Sequence, residues 1–206
     1  TSGALSWIGK EVDSSDIIHE ILQDLIYYQK SGGGITLSGG EPLQQKDFAL
    51  DILQKCREHR IHTAVETNLL TDVNTLEAFL PWVDLWMCDF KMAHDTLHRK
   101  WTGHSNVPII KNLEFLAKQA VPLTIRTPVI PNVNDSEEAI ESICRFIRQL
   151  PNQPAYELLG FHSLGFVKFE NLGMKNPLSN SAFLKKGQLQ KLKEILIRYN
   201  LNNNKK

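Results

Sequence analysis

No apolar run in the sequence approaches the roughly 18 residues that a membrane-spanning helix needs, and the N-terminus lacks the charged-then-apolar layout of a signal peptide. The expected setting is therefore the cytoplasm, with no membrane partner. An excess of one charge is missing too. The 23 Lys plus Arg balance 23 Asp plus Glu, so nothing in the net charge argues for nucleic acid or a polyanion. Cysteine is scarce: Cys56, Cys88 and Cys144 are far apart, each in an apolar or helical context, and read as reduced, buried thiols, not disulfides or a zinc site. An initiator Met is lacking, and Thr1-Ser2-Gly3-Ala4-Leu5 reads as the interior of a longer protein. What is present, 206 residues with 42% hydrophobic and 22% charged content, suffices for one domain with a sizeable core.

Glycine is concentrated in one stretch. Five glycines surround Ile35-Thr36-Leu37 in SGGGITLSGGEP, residues 31–42. Ile35 to Leu37 suit a short buried strand, which puts Gly39, Gly40 and Glu41 just past its carboxyl end, in a loop made rigid by Pro42. Glycine is used where backbone takes positive φ or comes close to another group, so this loop is expected to hold something.

Along the rest of the chain, helical and strand periodicities alternate. Ser14 or Ser15 is expected to cap a helix running to Ser31-Gly32. Helices follow near 46–59, 72–80 and 107–119, one is capped by Asp135 or Ser136, and the last lies near 186–199. Strands are expected at Ile61–Val65, Val83–Asp89, Val121–Val129 and Ala155–Phe161, besides the glycine-flanked one. A polar stretch separates Lys91 from the helix near 107, residues 163–184 read as a long loop, and the tail from 200 reads as frayed. Alternation of this kind gives βαβ units and a parallel sheet covered by helices.

The polar residues fall in register with this scheme. Gly39-Gly40-Glu41, Glu66-Thr67-Asn68, Asp89 with Lys91, Arg126 with Asn132, and His162 all lie at or near strand carboxyl ends. In a βα barrel those ends share one face, where active sites are built. Asp89 and Lys91, two apart, point to the same side of an extended segment and can pair. Glu66, Thr67 and Asp89 form a set of hard oxygens suited to a cation or a ligand ammonium. Arg126, if buried, needs a carboxylate or phosphate. Cys88, inside its strand, reads as packing.

Leu37-Ser38-Gly39-Gly40-Glu41 resembles the signature of ABC-type ATPases, but their upstream phosphate loop is absent, since Gly9-Lys10 is followed by Glu11. A barrel lyase with Lys91 as Schiff base, activated by desolvation, is a second class that the residues leave open. A third accounts for more. SGGGITLSGGEPLQQ, IHTAVETN, LWMCDFK, IRTPVIPNVND and GFHSLGFVKF, in this order, resemble the glycyl-radical enzyme activating enzymes of the radical SAM superfamily, over nearly the whole chain.

That resemblance implies an α/β partial (β/α) barrel, with the five strands here the second to sixth and the first strand missing. It implies S-adenosylmethionine (SAM) as cofactor, a [4Fe-4S] cluster held by a C-x-x-x-C-x-x-C loop, and a glycyl-radical enzyme such as pyruvate formate-lyase as partner, with flavodoxin or ferredoxin as electron donor. By the same alignment Gly39, Gly40 and Glu41 receive the SAM amino group. Thr67, Asn68, Asp89, Lys91, Arg126 and His162 complete the SAM site, with Lys91, Arg126 and His162 taking part in cleavage. Glu66, Thr67, Met87 and Asp89 match a monovalent-cation site whose first acidic residue is Asp in the pyruvate formate-lyase activator and Glu here. Asn132 and Asp135 follow the family's loop without an assigned role. The three-cysteine loop is absent from these residues. The expectation is thus a single-domain C-terminal part, with residues 1–12 following a missing ferredoxin-like insert, inactive without its redox centre.

Overall fold

The computed structural model describes residues 10–179 and 183–201. Helix α1 (Ser14–Gln23) is capped by Asp13, whose side chain accepts from the Ser15 amide at 2.8 Å. The expected serine cap is displaced because Ser14 is buried, its hydroxyl donating to Asp51. The single helix expected up to Ser31 is two. Asp24 (φ −98°, ψ 7°) leaves helical geometry between α1 and α2 (Leu25–Ser31), and Gly32 closes α2 in the left-handed region.

Strand β1 (Gly34–Leu37), a 3-10 turn (Pro42–Gln45), α3 (Lys46–Glu58), β2 (His62–Thr67), α4 (Val73–Phe79) and β3 (Leu85–Asp89) follow. Then come α5 (Asp95–Thr102), α6 (Val107–Lys118), β4 (Leu123–Val129), α7 (Glu137–Gln149), β5 (Ala155–Gly160), α8 (Phe166–Asn171) and α9 (Gln188–Arg198). The strands make one parallel sheet in the order β1-β2-β3-β4-β5, with β1 and β5 as its edges. This is the expected partial barrel: each strand pairs with the next in sequence and helices lie between.

Burial alternates along the strands. In β4, Leu123, Ile125, Thr127 and Val129 are buried, while Thr124, Arg126 and Pro128 are only half-buried. The buried set joins Val65, Trp86, Cys88, Tyr156 and Leu158 in a core completed by Leu53, Leu76, Leu113, Ile143 and Leu196 from the helices. Arg126 therefore sits on the open face of the sheet. There the register sets it beside Asp89 on β3 and Glu157 on β5, and Glu66 beside Met87.

Two helices escaped the sequence reading. The polar stretch after Lys91 contains α5, whose apolar residues are too few to show a period. It is held by an Arg99–Asp95 ion pair of 2.7 Å and a left-handed Gly103 at its end. The stretch read as a loop from 163 contains α8, only six residues long. Leu201 is buried, so the frayed tail expected from residue 200 does not begin there. The rest of that tail, and most of the N-terminal segment 1–12, lie outside the described residues.

Gly34 is held by the sheet itself: a Cβ there would meet the His62 carbonyl oxygen of β2 at 1.8 Å. Gly39 has φ 116°, a conformation open to glycine and few others. Gly40 has no atom within 4 Å of the place its Cβ would take. The glycine-rich stretch thus serves strand pairing at one end and open loop backbone at the other.

Candidate functional site

The loop after β1 is tied to the end of β2 through Glu41. Its Oε1 accepts from the Thr67 hydroxyl at 2.6 Å and its Oε2 from the Asn68 amide at 2.8 Å, while a weaker 3.4 Å contact from the Leu43 amide caps the 3-10 turn. An ionised carboxylate has about four acceptor positions, so Glu41 anchors the loop and keeps capacity for a further donor. Thr67 Oγ1 in turn accepts from the Leu69 amide at 3.0 Å.

Beside this anchor lies a cleft of about 160 Å³ lined by Ser38 to Glu41, Glu66 to Asn68, Asp89 and Lys91. Asp89 Oδ2 takes the Lys91 ammonium at 2.9 Å, the pairing expected from their spacing. Arg126 is ion-paired with Glu66, reaches Asp89 Oδ1 at 3.5 Å and lies 3.8 Å from the Met87 sulfur. Two carboxylates thus meet two cations in a partly buried network. Within it, Asp89 Oδ1 and Arg126 Nε are buried without a hydrogen bond among the described residues. A buried acceptor and a buried donor without hydrogen bonds are uncommon in folded proteins and set this network apart.

Most of the expected residues are therefore brought together: Gly39, Gly40, Glu41, Glu66, Thr67, Asn68, Asp89 and Lys91 line one cleft, with Arg126 paired to two of them. His162 does not join them. It follows β5, is exposed, and has no hydrogen bond among the described residues. The expected cation set is adjacent, yet Glu66 and Met87 face Arg126, Thr67 bonds Glu41, and Asp89 holds Lys91. No group of three or more His, Cys, Asp or Glu is placed to hold a metal among the described residues.

Asn134 was missed by the sequence reading. It is buried, donates from Nδ2 to the Lys91 and Pro128 carbonyls, each at 2.9 Å, and accepts from the Ile130 amide at 2.7 Å. It therefore fixes the backbone of Lys91 against the end of β4. The Pro-Asn-Val-Asn-Asp run was a signal for a turn, but which Asn faces inward is decided by packing. Asn132 takes the left-handed turn position (φ 61°) and Asp135 accepts from its amide and from Gln188, so both are structural.

The cysteines lie on separate elements, and all are buried and free. Burial pushes the Cys56 thiol up to about 11 and that of Cys144 to about 12, and holds Cys88 well above the ordinary range. Iron–sulfur ligands are thiolates, so these residues do not fit a [4Fe-4S] cluster.

The described residues include no helix long and apolar enough to cross a membrane. A family model described as the radical SAM superfamily matches residues 8–146. Isethionate sulfite-lyase activating enzyme of Desulfovibrio desulfuricans is 40% identical over 172 residues, covering 82% of this chain and 55% of that protein. Pyruvate formate-lyase-activating enzyme of Clostridium pasteurianum is 33% identical over 188 residues, 91% of this chain and 79% of that protein. Among solved structures, a domain of pyruvate-formate lyase-activating enzyme from Bacteroides vulgatus superposes with a TM-score of 0.69 at 30% identity, covering 82% of this chain and 96% of that one. The chain belongs to the radical SAM superfamily and, within it, to the glycyl-radical enzyme activating enzymes. It spans just over half the length of the isethionate sulfite-lyase activators it matches, 55% to 58%. This membership gives no support to the Schiff-base lyase, and Lys91 is paired with Asp89.

Proposed function

We propose that this chain carries the SAM-binding part of an activating enzyme that reductively cleaves SAM and uses the 5'-deoxyadenosyl radical to take hydrogen from a glycine of a partner enzyme. The observation that carries this reading is the pair of open polar atoms, Asp89 Oδ1 and Arg126 Nε, in the network beside the Gly39–Glu41 loop. An amino-acid end fits such a pair: its ammonium finds Asp89 and the spare capacity of Glu41, and its carboxylate finds Arg126 and Lys91. The backbone at Gly40 leaves room for it. In the family a [4Fe-4S] cluster supplies the electron for cleavage, and the cysteines present here supply none of its ligands.

A monovalent cation at Glu66, Thr67, Met87 and Asp89 belongs to this reading only with Arg126 withdrawn, since the guanidinium now supplies positive charge there. His162 is proposed to act from the rim once ligand is bound. The expected partner is a glycyl-radical enzyme of the pyruvate formate-lyase type, in the cytoplasm, with flavodoxin or ferredoxin as electron source.

Calorimetric titration of the chain with SAM tests the pocket, and absence of binding overturns it. Anaerobic reconstitution with iron and sulfide is expected to give no stoichiometric four-iron cluster and no SAM cleavage. Iron analysis and Mössbauer spectroscopy check the cluster, and chromatography of 5'-deoxyadenosine checks the cleavage.

A further inference from the structure

Between β3 and α5 the chain passes through Phe90, Lys91, Met92, Ala93 and His94 in neither helix nor strand. Phe90 and Met92 are buried, 0% and 5% exposed, while Lys91 between them turns to the cleft. Backbone carbonyls that lie away from water, outside a ladder or a helix, still need donors. Here four in succession receive them from side chains. The Thr127 hydroxyl donates to the Phe90 carbonyl at 2.6 Å, Asn134 Nδ2 to that of Lys91 at 2.9 Å, and Asn106 Nδ2 to those of Met92 and Ala93, each at 2.9 Å.

The donors come from separate elements: Thr127 from β4, Asn134 from the loop after β4, and Asn106 from the N-cap of α6. All are buried, and each is itself held. Thr127 Oγ1 accepts from the Tyr156 hydroxyl at 3.1 Å. Asn134 Nδ2 also donates to the Pro128 carbonyl at 2.9 Å, and its Oδ1 accepts from the Ile130 amide at 2.7 Å. The Asn106 amide donates to Asp95 Oδ1 at 3.0 Å. A carbonyl only accepts, so both hydrogens of each Asn side chain are committed, and turning either amide over would set oxygen against oxygen. At the start of the run the Phe90 amide donates to the Arg126 carbonyl at 2.9 Å, which ties the Lys91 segment to the strand that carries Arg126.

A lysine ammonium rides on a flexible stem, so its place in a site is set first by where its Cα is held. We propose that Thr127, Asn134 and Asn106 are positioning residues that act through Lys91. By fixing four consecutive carbonyls they hold its backbone so that the ammonium meets Asp89 Oδ2 at 2.9 Å and stays directed at the cleft. Asn134 is the principal one, because it bonds the Lys91 carbonyl itself. The inference rests on the SAM reading above and deepens it: these side chains touch no ligand, and their effect on SAM passes through the lysine that is proposed to meet its carboxylate.

The test is a double-mutant cycle on the present chain. Calorimetry measures SAM affinity for the unaltered chain, Asn134→Asp, Lys91→Met and the double variant, and the cycle is repeated with Thr127→Val, so that failure of one variant to fold leaves the other to decide. Asn134→Asp keeps the shape and the bond from Ile130 but, ionised, offers the carbonyls no hydrogen, and Thr127→Val keeps the volume and removes the hydroxyl. The expected result is a loss of about fivefold or more with Lys91 in place and of less than about twofold in the Lys91→Met background. A second readout needs no ligand. With lysine labelled at ¹³Cε and Lys91 assigned by its loss in Lys91→Met, its ε-methylene protons are expected to be inequivalent in the unaltered chain and averaged in the variants. Lys55, ion-paired with Asp51 at 2.8 Å on α3, should stay unchanged and report an intact fold. Where the unaltered chain binds SAM, equal losses in both backgrounds, or none in either, overturn the positioning role and spare the SAM reading. A Lys91 signal that does not move, or that moves together with Lys55, overturns it as well. Absence of SAM binding by the unaltered chain overturns the SAM reading, and the inference with it.

Discussion

The two faces of the sheet treat polar groups differently. On the helix-packed face the Tyr156 hydroxyl donates to Thr127 Oγ1 at 3.1 Å, and Thr127 donates to the Phe90 carbonyl at 2.6 Å. On the open face, Asp89 and Arg126 are ion-paired but each retains a buried atom with no hydrogen bond. The packed face has its own lapse, Trp86 Nε1, but that is a lone donor in an apolar wall. The acceptor and the donor of the open face belong to residues already paired with each other, Arg126 Nη2 lying 3.5 Å from Asp89 Oδ1, and Asp89 also lines the cleft. The polar groups of the packed face are bonded mostly to one another, whereas those of the open face are ion-paired with atoms left over, and the proposed ligand would meet them there.

The sharpest way to break this division is to damage the sheet itself. Gly34→Val would drive a side chain into the His62 carbonyl of β2, where a Cβ already comes within 1.8 Å. Backbone cannot yield as a side chain does, so a loss of about 3 kcal/mol or more is expected, at the upper end of overpacking costs. Urea denaturation followed by circular dichroism measures it, and wild-type stability would show that β1 is not paired as described.

A smaller but sizeable effect belongs to the packed face. Burial raises the Tyr156 hydroxyl beyond its ordinary range and the Cys56 and Cys144 thiols to about 11 and about 12. These are acids whose folded values lie above their unfolded ones, so the folded state keeps protons that the unfolded chain releases. Stability is full below the unfolded thiol value of about 8.5, falls as pH rises past it, and falls more steeply past about 10 where unfolded tyrosine ionises, at about 1.4 kcal/mol per pH unit for each group. Denaturant midpoints between pH 7 and 11 check the slope. A flat profile would mean that these groups are reached by solvent in the native protein.

The division also explains what could be read from the sequence. The strands and the order of the rim residues were legible, because apolar periodicity and strand ends are local properties. Asp89 and Lys91 were legible as a pair for the same reason. The pairing of Glu66 with Arg126 was not, since it joins β2 to β4 across β3 and depends on side-chain reach. Helix α5 was invisible because polar bonds through Asp95 and Asn106, not an apolar stripe, hold it. With α5 went Asn106, whose side chain shows its use only against the folded Met92 and Ala93 carbonyls. Asn134 was lost among three candidate turn residues, since only the folded contact with the Lys91 carbonyl singles it out.

On the open face the expected effects fall on binding and spare stability. Gly40→Val meets nothing within 4 Å in the unliganded protein, so folding stability should stay within about 0.5 kcal/mol of wild type. The branched side chain would fill space proposed for the ligand's amino-acid end, and SAM affinity is expected to fall at least tenfold, about 1.4 kcal/mol. Calorimetry reads the affinity and a denaturant titration reads the fold. Wild-type affinity in this variant would remove the Gly39–Glu41 loop from the SAM site.

The smallest expected effect on the isolated chain is that of His162→Ala, and it separates two kinds of rim residue. Glu41, Asp89 and Arg126 are held by neighbours before any ligand arrives, so their geometry is already fixed. His162 is exposed with no partner among the described residues, so its removal leaves no buried group unsatisfied and should change stability by no more than about 0.5 kcal/mol. Its contribution can appear only where something new reaches it. A polar contact formed on ligand binding is worth about 0.5–3 kcal/mol depending on charge, and an exposed partner belongs at the low end of that range. SAM binding to the chain should therefore weaken only slightly, while glycyl-radical yield in the complete enzyme, read by electron paramagnetic resonance, should fall further. Equal loss of affinity and radical yield would place His162 among the fixed contacts of the cleft, and loss of neither would leave it outside the site.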